Sequence, residues 1–199
     1  MNFGNLKLFY ALSCVALCLI ILAPTLALVV TFPEGERFSE LWILGSNHMT
    51  AGYTFDVAAN EKYSVYVGVG NHMKSSAYYA VYVKFKNQAE PLPNDKTETP
   101  SPVSPLYTYY VFLQDGDDWE IPMTFSFSGV SFSENRSLVE SLTVNDVAFS
   151  VDKAAVWDAE DKGYYYQLFL ELWIYNTQSK TIQFHNRFVG IQLNITRTV

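Results

Sequence analysis

The chain has 199 residues, 16% of them aromatic and 17% charged, with a formal net charge of −7 and 2 cysteines. That length suits one domain with a sizeable core. The acidic balance argues against a phosphate-backbone reader, so nucleic acid is not an expected partner.

Residues 1–7 read as a short cytoplasmic leader. Residues 8–32 follow as an apolar run of 25 residues without a charged side chain. As a helix this run reaches roughly 37 Å, enough to cross a hydrocarbon core of about 30 Å with some tilt. The expectation is a single transmembrane helix whose partner is the lipid bilayer. Both cysteines, Cys14 and Cys18, lie in this run at i and i+4, on one helical face. The rest of the chain must therefore be stable without disulfides. A secretory signal has a shorter apolar stretch of about 7–15 residues. Thr25-Leu26-Ala27 resembles a cleavage site, yet Leu28-Val29-Val30 beyond it is still apolar. The run is read as a retained anchor, with cleavage of residues 1–27 as the alternative.

Lys7 precedes the run, and Glu34, Glu36 and Glu40 follow it. All 20 acidic residues and 12 of the 13 basic ones lie after Phe32, giving that part a charge of −8. The positive-inside rule then places the N-terminus in the cytoplasm and the large domain outside the cell membrane. Two glycosylation sequons, at Asn135 and Asn194, fall on the same outer side.

Residues 33–38 read as a juxtamembrane linker and 39–199 as the extracytoplasmic domain. From Ser39 onward the apolar pattern has period two, the signature of strands. Strands are expected at Ser39 to Leu44 and Tyr53 to Val57. Tyr63 to Val69 and Tyr78 to Lys86 are expected to pair as a hairpin across Gly70 to Ser76. Residues 88–105 contain five prolines and no large apolar run, and are expected to form an exposed, mobile loop. Strands resume at Leu106 to Gln114, then Trp119 to Ser128 after an acidic turn. One more is expected within Leu142 to Val151, and the strongest is Tyr164 to Asn176. Thr181 to Phe184 and Phe188 to Ile195 are expected to close the domain as two further strands. Such a set predicts an all-β fold: an immunoglobulin-like two-sheet β-sandwich preceded by one N-terminal transmembrane α-helix.

Several stretches resemble an uncharacterised archaeal membrane-protein family catalogued as a domain of unknown function. They are Gly35 to Gly45 (Gly-Glu-Arg-Phe-Ser-Glu-Leu-Trp-Ile-Leu-Gly), Tyr63 to His72 followed by a Tyr/Val strand, Asp118-Trp119-Glu120 before a Phe-rich strand, and the Tyr164 to Leu172 strand. The likeness spans roughly residues 34–195. It implies an archaeal surface protein with an extracytoplasmic β-sandwich behind membrane helices. This chain departs from it in having one apolar run rather than several, and in its Pro-rich insertion. No catalytic residue transfers.

Asp115, Asp117, Asp118 and Glu120 crowd one turn and are the candidate metal ligands, suited to Ca²⁺ by their hard oxygens. Their spacing is not that of an EF-hand, and a solvated turn explains the same residues. Asp158, Glu160 and Asp161 form a second acidic loop of the same kind. Asn-His-Met occurs at residues 47–49 and 71–73. With His185 these offer imidazole and thioether donors of a kind that suits copper, although Asn and His are also ordinary turn residues. The many tyrosines and tryptophans could stack on sugar rings or a partner protein, or simply pair across strands. No nucleophile motif, zinc-protease motif or phosphate loop is present. No enzyme and no cofactor are expected. The reading is an anchored binding or scaffolding domain that contacts an envelope protein or glycan. The alternatives are a cleaved filament or lattice subunit that pairs strands, and, further off, a metal-dependent or carbohydrate-active enzyme.

Overall fold

The computed structural model describes residues 9–21 and 35–196, which belong to two separate compact units divided after Glu36. The first contributes a helix, α1, over residues 9–21, carrying unpaired Cys14 and Cys18. Among the described residues no helix is long and apolar enough to cross a membrane. Residue 8 and residues 22–32 of the expected span lie outside the described residues, as does the cleavage-like Thr25-Leu26-Ala27.

The second unit is all β. Among the described residues its ten strands are β1 (Phe38–Leu44), β2 (Asp56–Ala58), β3 (Tyr63–His72), β4 (Ala77–Asn87), β5 (Tyr107–Leu113), β6 (Asp118–Phe132), β7 (Arg136–Val144), β8 (Val147–Val156), β9 (Tyr165–Asn176) and β10 (Thr181–Thr196). They form two five-stranded sheets, β1-β3-β6-β7-β8 and β2-β10-β9-β4-β5. Strands β1, β3 and β6 take the places of A, B and E in an immunoglobulin domain; β4, β9 and β10 take those of C, F and G, with β5 as C′. The β7–β8 hairpin extends the first sheet beyond E.

Period-two alternation places the core between the sheets. On β9, Tyr166, Leu168, Leu170 and Leu172 are 0–2% exposed. Val65, Val67 and Val69 of β3 and Met123, Phe125 and Phe127 of β6 meet them from the other sheet. Each such side chain contributes about 1.5–3 kcal/mol when fully buried. Phe85 of β4 bridges the sheets, with ring centroids 5.3 Å from both Phe127 and Tyr166.

Four expectations are corrected. Strands β3 and β4 do not form a hairpin: β3 pairs with β1 and β6, and β4 with β5 and β9. Each strand has its own apolar inner face, so the chain crosses between layers. Asn71, 0% exposed, holds this crossover and the β5–β6 crossover together. Its Nδ2 lies 2.9, 3.1 and 3.0 Å from the carbonyls of Ser75, Leu113 and Gln114. Second, the single strand expected within Leu142 to Val151 is a hairpin turned at Asn145-Asp146, both at positive φ (47° and 64°), the geometry of a two-residue type I′ loop. Third, Thr181 to Ile195 is one strand with a bulge between Phe184 and Arg187.

The fourth correction concerns residues 88–105, which form a strap across the outer face of the second sheet. Ser101 is 4% exposed, and beneath it Lys84 and Glu171 are buried. The far end of the strap is held where Asn186 of the β10 bulge donates to the Asp95 carbonyl at 3.1 Å. The strap thus covers part of the outward face of this sheet, and Phe169 is 0% exposed despite facing away from the core.

Candidate functional site

Two outer faces carry the chemistry. On the first sheet, register sets three rows across β1, β3 and β6: Glu40–Gly70–Asp118, Trp42–Gly68–Glu120 and Leu44–Tyr66–Pro122. The central strand lacks a side chain in two of these rows, so its neighbours fold inward over it. A Cβ at Gly70 would lie 2.8 Å from Asp118 Oδ1 and 3.1 Å from Glu40 Oε2. A Cβ at Gly68 would lie 2.1 Å from the Trp42 indole, which covers that residue.

Both Glu120 oxygens are engaged. Trp42 Nε1 donates to Oε2 at 2.8 Å, and His48 Nδ1 donates to Oε1 at 2.9 Å. The His48 ring also stacks on Tyr66 at 3.7 Å. In the next row His72 Nε2 lies 3.7 Å from Glu40 Oε2, with Phe38 against its ring at 4.7 Å. Donor atoms of Glu40, His72 and Asp118 all lie within 4.8 Å of one another, the one group of three or more metal-ligating residues among the described residues.

The four acidic candidates of the turn do not meet at one point. Asp118 joins this group, and Glu120 holds Trp42 and His48. Asp115 Oδ1 accepts from the Lys74 amide at 2.7 Å, and Asp117 Oδ2 from the Gln114 amide at 3.1 Å, so both carboxylates brace loops. In the second acidic loop Asp158 Oδ1 caps the amides of Glu160 and Asp161. His48, His72 and His185 have separate partners. His185 Nε2 meets Ser39 Oγ at 3.0 Å, within a buried chain from Ser39 to Tyr79 (2.6 Å) and Tyr79 to Asn71 (2.9 Å). Burial first, then the Arg187 charge, lowers the His185 pKa.

Asn135 is exposed on the turn before β7. The Asn194 amide is engaged: Nδ2 donates to Asp56 Oδ1 at 2.8 Å, and Oδ1 accepts from the Tyr164 amide at 3.0 Å. A recess of 260 Å³ beside it is lined by Phe132, Trp157, Lys162 and Tyr164.

On the second sheet, the part of the outer face beyond the strap is aromatic. Tyr110 and Phe112 of the edge strand β5 are 58% and 64% exposed. Tyr78 of β4 stacks parallel to Tyr110, 6.0 Å apart at 6°. Tyr82 and Trp173 continue the surface toward the strap, 5.1 Å apart. Burial raises the Tyr82 phenol, with the Tyr110 and Glu171 charges adding to it.

A family model described as a domain of unknown function (DUF1616) matches residues 33–136, just over half of the chain. This chain belongs to that family. The match covers the three strands that carry Glu40, His72 and Asp118. No curated protein matches. Among solved structures, a β-glucosidase from Listeria innocua is similar at 10% identity and a TM-score of 0.41 over 84% of this chain, which spans 17% of that chain. The CARDB domain of a Pyrococcus furiosus protein, solved with di-metal ions, is similar at 8% identity and a TM-score of 0.38, over 80% of this chain and 89% of that one. A PapD-like domain of human CEP192 is similar at 9% identity and a TM-score of 0.30, over 85% and 90%.

In the sequence, Asp118 and His72 fall in different candidate sets and Glu40 stands only as a flanking charge. The available signal was alternation: Glu40 and Trp42, Gly68 and Gly70, Asp118 and Glu120 each sit two apart. Only strand register aligns them.

Proposed function

We propose that this DUF1616 domain is a non-catalytic binding module at the archaeal cell envelope. The apolar run 8–32 holds it to the membrane, and the sandwich works on the extracytoplasmic side. The ligand is glycan, held on the aromatic platform of Tyr78, Tyr110 and Phe112.

The observation that carries this reading is the exposure of Tyr110 and Phe112 on an edge strand, beside a parallel Tyr78 ring. Flat aromatic faces with hydroxyl tips suit the apolar C–H face and polar rim of a sugar ring. Apolar side chains exposed side by side mark interaction surfaces. The charge distribution around residues 8–32 supports the orientation.

The test is affinity electrophoresis of the full chain through gels containing β-glucan, mannan or N-acetylglucosamine polymers. Retardation by one polymer, lost in Tyr110→Ala/Phe112→Ala with the fold intact, supports the reading. Free migration of the unaltered protein in all of them overturns the glycan assignment. Dimerisation that the same pair of substitutions abolishes would favour strand pairing through the β5 edge instead.

A further inference from the structure

We propose that Glu40, His72 and Asp118 bind one divalent transition cation, Zn²⁺ or Mn²⁺, on the outer face of the first sheet. This goes beyond the glycan reading and is independent of it, because the platform lies on the other sheet.

Three neighbouring strands each supply one ligand, two carboxylates and one imidazole, with donor atoms within 4.8 Å of one another. Ligands at about 2.1 Å from a tetrahedral ion stand roughly 3.4 Å apart. His72 Nε2 and Glu40 Oε2 are already 3.7 Å apart.

Gly70 is the second observation. Glu40 and Asp118 face each other across it, and both carboxylates, though solvent-exposed, reach over the bare backbone position. A Cβ there would sit within 2.8–3.1 Å of their oxygens, filling the space between them. Two like charges converging on one hollow beside an imidazole are stabilised by a cation between them. The mixed oxygen and nitrogen set selects Zn²⁺ or Mn²⁺ over Ca²⁺, which takes six to eight oxygens.

The backbone behind the ligands is fixed. Ser39 and Asn71, the chain neighbours of Glu40 and His72, point into the sandwich and are joined through Tyr79. Phe38 packs on the His72 ring. Three protein ligands leave at least one position for water or an incoming donor.

The experiment is isothermal titration of the full chain in detergent with Zn²⁺ and with Mn²⁺ at neutral pH, in a Cys14→Ser/Cys18→Ser background so that thiols do not compete. One equivalent is expected to bind and to raise the melting temperature, since the ion binds the folded state. Glu40→Gln and Asp118→Asn keep side-chain shape. Each is expected to weaken binding at least about tenfold, on the scale of losing a ligand or its support, with the metal-free melting temperature unchanged. Glu120→Gln, in the neighbouring row, is expected to retain binding. Absence of a stoichiometric site for either ion overturns the proposal. So does equal binding in Glu40→Gln, Asp118→Asn and the parent protein.

Discussion

Lys84 Nζ lies 2.8 Å from Glu171 Oε2 on the outward side of the second sheet, with side-chain exposures of 3% and 0%. Glu171 also accepts from the Ser101 amide at 2.9 Å and from Trp173 Nε1 at 3.0 Å, while Lys84 donates to the Ser101 carbonyl at 2.9 Å. The pair is thus the fastening point of the Pro-rich strap. Removing one partner leaves a buried charge, so Glu171→Ala is expected to cost about 3–5 kcal/mol. The double variant Lys84→Met/Glu171→Leu is expected to recover part of that loss, because it removes both charges and keeps the volume but leaves the Ser101 amide and carbonyl without their partners. Urea unfolding of the three proteins checks this. Equal destabilisation of single and double variants would contradict it.

Asn145 ties the β7–β8 turn to β6 and β5. Its Oδ1 accepts from the Thr124 amide at 3.0 Å, its Nδ2 donates to Tyr109 OH at 2.6 Å, and its backbone holds φ of 47°. Asn145→Ala is expected to lose about 2–3 kcal/mol, combining an unpaired amide with a strained turn. Asn145→Gly, which restores the conformation alone, is expected to lose less. The ordering of the two melting temperatures is the readout.

Stability should fall at both ends of the pH range. The buried His185 has its pKa lowered from 6.5, so the unfolded chain takes up that proton first as the pH drops. Its stabilising contribution is complete above about 6.5 and is lost as the pH falls through the lowered folded value. In His185→Gln this part of the acid slope is expected to vanish. At the alkaline end Tyr109 is pushed up from 10.0 to about 12 by burial, against the lowering effect of the Asn145 bond. Its contribution is present below 10 and lost as the pH rises toward 12, and Tyr109→Phe is expected to flatten that limb. Unfolding free energies measured across pH decide both.

Gly68→Ala is expected to expel the Trp42 indole, because the new methyl would lie 2.1–2.3 Å from its ring atoms. Overpacking of this kind costs about 1–3 kcal/mol. The Trp42–Glu120 bond would break, and tryptophan emission should shift to the red. In a Trp42→Ala background the same Gly68→Ala change is expected to be nearly neutral, a coupling that a double-mutant cycle measures.

Alternation made the sandwich legible. Every second residue of Tyr166 to Leu172 is apolar, and a period of two can satisfy one buried face only as a strand. Strand existence therefore followed from residue type. Pairing did not. Tyr63 to Val69 and Tyr78 to Lys86 look like a hairpin locally, and only the competition between two apolar faces sends them to different sheets. The Asn145-Asp146 turn is hidden in the sequence because it carries no glycine to interrupt the strand pattern around it.

By itself the sequence determined the all-β class, the inward and outward faces, the apolar run at residues 8–32 and the absence of disulfides in the domain. These depend on composition and local periodicity. Tertiary structure decided that the Pro-rich segment lies over Lys84 and Glu171, and that Glu40, His72 and Asp118 meet across Gly70. Glu40 and Asp118 are distant in sequence, and strand register, set by the packing of both inner faces, brings them to one row.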